Sequence, residues 1–204
     1  MDRSQKQSHW EKVYREKGPQ DVSWTQDKPE LSLDLIRQTG LGKDAAIIDI
    51  GGGDSRLADG LLDEGYTNIT VLDISEAALE KAKARLGEKG AGVKWIVSDI
   101  DAFEGGTYDI WHDRAAFHFL TTPEQISRYV ETAGRSVTGA LIIGTFSESG
   151  PEKCSGLPVT RYSEAKMTET FAPHFRKNEC LTHVHTTPFG TTQDFRFCIF
   201  TKTA

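Results

Sequence analysis

Ala45-Ala-Ile-Ile-Asp-Ile-Gly-Gly-Gly-Asp-Ser55 is the stretch on which the reading of this chain turns. An apolar run ends in Asp49 and opens directly into three glycines. Eighteen residues past Gly53 a second apolar run begins, Val71-Leu-Asp-Ile-Ser75, with Asp73 near its end. A buried strand, a glycine turn, a helix and a second strand ending in an acid form the first half of a nucleotide-type cofactor site. Glycine lets the backbone come close to a ligand. A carboxylate at the tip of the next strand can accept both hydroxyls of a ribose. The pair points to an enzyme with an adenosine-containing cofactor.

The rest of the chain alternates around this core. Trp10, Val13 and Tyr14 fall at helical spacing, which predicts a helix over Ser8–Lys17, ended by Gly18-Pro19. A second helix is expected over Pro29–Gln38. Strands are expected at Ala45–Ile50, Ile69–Asp73, Val93–Val97, Tyr108–His112 and Ala140–Phe146. Helices are expected at Ser55–Asp63, Glu76–Leu86 with Ser75 as cap, Pro123–Arg135 and Glu164–Phe171. The final two strands, Glu179–Thr186 and Asp194–Thr201, leave no room for a crossover helix. They must form a hairpin through Thr187-Pro-Phe-Gly-Thr.

The dinucleotide fingerprint G-x-G-x-x-G fails at its third glycine, where this chain has Arg56, a side chain that obstructs close helix–strand packing. No Lys-Ser/Thr pair completes a phosphate loop. The observed order is an acid followed by small residues at alternate positions: Asp49, Gly51, Gly53, Ser55. This resembles motif I of the class I S-adenosylmethionine-dependent methyltransferases, and Asp73 falls where that family keeps its ribose-binding acid. The resemblance runs over nearly the whole chain. It implies one α/β domain over 1–204: a Rossmann-like, seven-stranded, mostly parallel sheet in the order 3-2-1-4-5-7-6, with the terminal antiparallel hairpin and helices on both faces. Residues 1–40 are expected to form a helical lid within it.

The resemblance also assigns roles. Gly51, Gly52 and Gly53 pass under the amino-acid and ribose part of S-adenosylmethionine, and Asp49 lies near its ammonium. Asp73 takes the ribose hydroxyls, Ile74 packs on the adenine, and Asp99, with Ile100 beside it, takes the adenine amino group. Tyr108-Asp-Ile-Trp-His-Asp-Arg-Ala-Ala-Phe-His118 looks like motif IV. It puts His112 and Asp113 near the sulfonium and Arg114 and His118 towards the substrate. His112 and His118 are the candidate bases, since histidine titrates near neutral pH. A structural Asp113–Arg114 or Asp113–His118 pair is the competing explanation.

This Trp-His-Asp-Arg cast resembles the thiopurine S-methyltransferase group. The opening His9-Trp10-Glu-Lys-Val-Tyr14, with Val22-Ser-Trp24, resembles the lid of the citrate synthase lysine methyltransferase type, but that group's Asp-Lys-Gly-Thr pattern is missing here. Tyr14 and Trp24 are expected to close over the cofactor. Cys154 and Tyr162, in the segment after the fifth strand, are expected on the substrate side.

The expected activity is methyl transfer from S-adenosylmethionine, releasing S-adenosylhomocysteine, to a small thiol or amine or to a protein lysine. The alternatives are an NAD-dependent oxidoreductase and a non-catalytic adenosine-binding protein. A net charge of −6 disfavours a broad grip on nucleic acid. No apolar run reaches the roughly 20 residues of a membrane span. The three cysteines fit neither a disulfide framework nor a C-x-x-C metal site, so unpaired thiols, no metal and a cytoplasmic location are expected.

Overall fold

The computed structural model describes residues 1–203. Nine strands form: β1 (Ile47–Ile50), β2 (Ile69–Asp73), β3 (Lys94–Val97), β4 (Tyr108–Arg114), β5 (Val137–Phe146), β6 (Lys153–Cys154), β7 (Leu157–Pro158), β8 (Phe175–Thr186) and β9 (Thr192–Lys202). Seven of them build one sheet in the order β3-β2-β1-β4-β5-β9-β8, and β6 pairs β7 in a separate short ribbon. The first five strands of the sheet are parallel, and β9 is antiparallel to both β5 and β8. This is the expected Rossmann-like methyltransferase topology, renumbered by the two short strands of the ribbon. The ribbon falls in the segment after the fifth strand, expected on the substrate side.

Six α-helices cover the sheet: α1 (Arg3–Glu16), α2 (Glu30–Gln38), α3 (Leu57–Asp63), α4 (Glu76–Leu86), α5 (Pro123–Ser136) and α6 (Glu164–Phe171). Apolar residues of α2, α3 and α4 join Ile47, Ile110 and Ile142 in one core. Residues of α5 and α6 join Ile48, Trp111 and Leu141 in the other. The split follows strand periodicity, because consecutive side chains point to opposite faces. Ser75 Oγ accepts from Ala78 N and caps α4, while Pro123 enters α5 behind a Thr122–Gln125 capping box. No helix among the described residues is long and apolar enough to cross a membrane.

Four features depart from the sequence reading. First, α1 begins at Arg3 rather than Ser8, because Asp2 and Gln5 close a capping box there. Second, α2 belongs to the core rather than to a lid spanning 1–40. Its Leu33, Leu35 and Ile36 are fully buried, each burial stabilising by about 1.5–3 kcal/mol. Third, β4 continues through Arg114, since Asp113 and Arg114 still pair with Ile143 and Gly144 of β5. Fourth, Cys180 and Cys198 form a disulfide across the β8–β9 pair. Among the described residues, only Cys154 keeps a free thiol.

Candidate functional site

In the strand order, the connections diverge between β1 and β4, and open α/β sheets bind ligands at that switch point, beyond the carboxyl ends of the strands. A cavity of about 1060 Å³ lies there. Its floor is the glycine turn after β1. Gly51 holds φ 65°, and a Cβ on it would stand 2.6 Å from the Ala116 Cβ. A Cβ on Gly52 would stand 2.5 Å from a carboxylate oxygen of Asp49. A Cβ on Gly53, at φ 47°, would meet the Tyr14 hydroxyl at 2.6 Å. Each glycine thus answers to a separate steric demand.

Asp73 closes β2 beside this turn. Its Oδ1 accepts from Ser75 N at 2.8 Å, and the carboxylate is buried. Burial pushes its pKa up to about 7, with the negative charges of Asp49 and Glu11 acting in the same direction. Ile74, Asp99 and Ile100 line the same end of the cavity.

The opposite wall is one face of β4. Ile110, His112 and Arg114 are two apart and share that face, while Trp111 and Asp113 point to the α5 side. His112 sits across from Asp49 in the β1–β4 ladder. Its Nδ1 bonds Asp49 Oδ1 at 2.7 Å and its Nε2 bonds Ser32 Oγ of α2 at 2.9 Å. The imidazole therefore clamps Asp49 and ties α2 to the sheet. Arg114 Nη1 donates to the Trp24 carbonyl at 3.0 Å, and its guanidinium lies 4.9 Å from the Phe195 ring centroid. Ala115, next along, takes φ 75°, a left-handed conformation that costs roughly 1 kcal/mol and clusters at functional sites.

Helix α1 forms the roof. Glu11 accepts from Glu76 N at 2.5 Å and from Ala77 N at 3.3 Å, so an α1 carboxylate sits at the N-terminus of α4. Lys6 donates to Asp101 at 3.1 Å and lies 3.7 Å from Asp99. Trp10 meets Trp24 and Phe119 edge-on at 5.8 and 5.1 Å. Tyr14 packs on Trp24 at 6.2 Å, and burial beside Asp73 raises its phenol well above the ordinary value.

The structure therefore brings Tyr14, Trp24, Asp49, Gly51, Gly52, Asp73, Ile74, Asp99 and Ile100 to one cavity. His112, Arg114 and Cys154 join them. Gly53 lies under Tyr14 rather than on the wall. Burial pushes the Cys154 thiol up to about 11 despite the nearby Arg114 charge.

Three expected residues lie elsewhere. Asp113 faces α5, where it accepts from Ala116 N, Phe117 N and the Tyr129 hydroxyl at 2.9, 3.1 and 2.6 Å. It shapes the turn after β4. A strand cannot present both His112 and Asp113 to one cavity. His118 is fully buried between Phe119 and Phe146, and burial together with the Arg114 charge drives its pKa down to about 3. A neutral ring held off the cavity wall is poorly placed as a base. Tyr162 is fully buried against Phe117, its centroid 5.2 Å away. The residues that the sequence reading passed over are Ser32, Glu11, Lys6 and Phe119. Only Glu11 carried a signal, as an acid on the predicted lid helix.

Residues 47–138 match the family model of a methyltransferase domain. That match and the sheet order above agree on the fold of a class I methyltransferase domain. Among curated proteins, the malonyl-[acyl-carrier protein] O-methyltransferase of Anoxybacillus flavithermus is 35% identical over 106 residues, 50% of this chain and 39% of that protein. The eEF1A lysine and N-terminal methyltransferase of Mus musculus is 26% identical over 135 residues, 62% of this chain and 19% of that protein. The chain thus spans well under half the length of these relatives. Among solved structures, a protein studied for the conversion of a disulfide bond into a thioacetal group during echinomycin biosynthesis superimposes with a TM-score of 0.75. It is 19% identical, and the match covers 96% of this chain and 92% of that one. The Burkholderia thailandensis 1,6-didemethyltoxoflavin-N1-methyltransferase, solved with 1,6-didemethyltoxoflavin and S-adenosylhomocysteine, gives 0.70 at 18% identity, covering 99% and 87%. At these identities the structural likeness establishes the fold.

Proposed function

We propose that this protein transfers a methyl group from S-adenosylmethionine to a small-molecule acceptor held inside the cavity. One observation carries the reading: a roofed cavity at the switch point, floored by the glycine turn and flanked by the buried Asp73. Its volume of about 1060 Å³ lies just above the range of roughly 300–1,000 Å³ typical of ligand pockets, which leaves room for an acceptor beside the cofactor. The Burkholderia thailandensis neighbour, solved with S-adenosylhomocysteine, supports the same cofactor, and the curated relatives, both methyltransferases, support the same reaction class.

The residues present fit the cofactor. The glycine turn lets backbone approach its amino-acid and ribose part, the Asp73 carboxylate accepts the ribose hydroxyls, and Asp99 accepts the adenine amino group. Asp49, oriented by His112, faces the ammonium. When bound, S-adenosylmethionine supplies a methyl group that its sulfonium already makes electrophilic. The protein's tasks are then alignment and exclusion of water. Trp10, Tyr14 and Trp24 close the roof, and Arg114 with Cys154 bounds the acceptor end. An acceptor that arrives as an anion needs no base, which suits a wall on which His112 is already bonded at both nitrogens.

Calorimetric titration with S-adenosylmethionine, S-adenosylhomocysteine and NAD tests the cofactor. Micromolar binding of the first two and no heat with NAD is the expected outcome. Binding of NAD alone overturns the reading in favour of an oxidoreductase. Labelled methyl transfer into a pool of small acids, thiols and amines, with none into lysate protein, separates a small acceptor from a protein lysine.

A further inference from the structure

Arg114 lines the cavity and has no role in the proposed cofactor contacts. Nη1 is occupied by the Trp24 carbonyl, but Nη2 is buried and has no hydrogen-bond partner. Among the described residues no carboxylate forms an ion pair with this guanidinium, whereas Arg85, elsewhere on the cavity wall, pairs with both Asp54 and Asp59. The nearest acid that influences it, Asp49, is engaged by His112.

A buried cation without a counter-charge is costly, and an unpartnered donor adds to the cost. Cavities keep such groups where a ligand supplies the missing partner. The side chains around Arg114 offer none: Phe195 under the guanidinium, the Cys154 thiol, and His118, His183 and His185. Burial lowers the pKa of all three histidines, and the positive charge of Arg114 acts in the same direction. Trp24 and Phe119 line the same cavity and give an apolar body somewhere to pack.

We infer that the methyl acceptor is an anionic small molecule, with a carboxylate or similar anionic oxygen seated on the Arg114 guanidinium and its apolar body against Trp24 and Phe119. The inference rests on the proposed methyltransferase reading and narrows its substrate class. A planar guanidinium suits such an oxygen pair, and charge-assisted hydrogen bonds are about twice as strong as neutral ones.

Calorimetry with benzoate and its neutral, near-isosteric partner benzamide tests it, both on the free protein and on protein saturated with S-adenosylhomocysteine. Benzoate is expected to bind at least tenfold tighter than benzamide. Arg114→Gln is expected to erase that ratio, and Arg114→Lys, which keeps the charge, to retain part of it. Equal affinities, no detectable benzoate binding, or a preference that survives in Arg114→Gln overturns the inference. Should S-adenosylhomocysteine itself fail to bind, the cofactor reading falls, while the acid–amide comparison on the free protein still decides the role of Arg114.

Discussion

The two faces of β4 carry similar side chains and do different work. Towards α5, Asp113 spends its oxygens on two backbone N–H groups and the Tyr129 hydroxyl, which in turn accepts from Trp111 Nε1 at 2.9 Å. Every partner is protein. Towards the cavity, His112 is bonded at both nitrogens, but the next residue on that face, Arg114, keeps a buried donor free. The contrast shows how to divide polar residues at a strand end. A satisfied network specifies the scaffold, and an unsatisfied group facing a cavity awaits a ligand.

The largest effect that can break this comparison is on the satisfied face. Asp113→Ala leaves two backbone donors and the Tyr129 hydroxyl without a partner in a fully buried site. At about 1–3 kcal/mol per orphaned group, relaxation included, a loss of roughly 3–5 kcal/mol is expected. For a chain of this size that is a fall in Tm of about 10 °C. Thermal unfolding of the free protein measures it. An unchanged Tm together with lost turnover would move Asp113 from the scaffold to the chemistry.

A second prediction concerns the cofactor side and sharpens the same contrast through pH. Burial raises Asp73 to about 7, against an unfolded value near 3.9. Between these values the folded protein holds the proton more tightly than the unfolded chain. The Asp73 contribution to stability is therefore present below pH ~4 and lost as pH rises towards about 7. Asp73→Asn removes that penalty while keeping an oxygen for Ser75 N. The free variant is expected to be more stable than the parent at pH 8, by an amount on the order of a kcal/mol or more, and little different at pH 4. Ribose hydroxyls donate best to the ionised acid, so S-adenosylhomocysteine affinity in the parent should fall as pH drops below about 7. In the variant affinity should be at least tenfold weaker at pH 8 and flat with pH. Matching pH profiles for parent and variant would remove Asp73 from the binding site.

What was legible in the sequence was whatever local pattern dictates. The apolar run into Gly51–Gly53, the acid ending β2 and the crossover-free hairpin all follow from short-range spacing. The errors lie where a long-range ladder overrides local polarity. The expected strand stops at His112, yet pairing of Asp113 and Arg114 with Ile143 and Gly144 carries it two residues further. Period two then parts Asp113 from His112. The disulfide, in contrast, was legible and missed. Cys180 and Cys198 lie equally far from Phe189 at the hairpin tip, and the antiparallel register sets them opposite each other. Simple counting from the expected turn finds the pair. The capping box Asp2-x-x-Gln5 was likewise visible, masked by the weak apolar pattern of the first turns.

The smallest expected effect falls on His118, which belongs to neither face and tests whether satisfaction alone divides the residues. Like Arg114, it has a buried nitrogen without a partner, Nε2, but it lies off the cavity wall. Its Nδ1 meets Phe146 N at a long 3.4 Å, and its ring packs between Phe119 and Phe146. With a pKa driven down to about 3, it stays neutral at every pH at which methyl transfer would be assayed. His118→Phe retains the ring shape and removes the orphaned nitrogen. The weak bond to Phe146 N is lost in exchange, so stability should change by about 1 kcal/mol or less in either direction. Methyl transfer should stay within about twofold of the parent, with the same pH profile. A loss of a hundredfold or more, with S-adenosylhomocysteine affinity intact, would place His118 in the reaction. An unpartnered buried nitrogen would then mark function here even without a cavity in front of it, and the distinction drawn from β4 would have to rest on polarity rather than on access to the ligand.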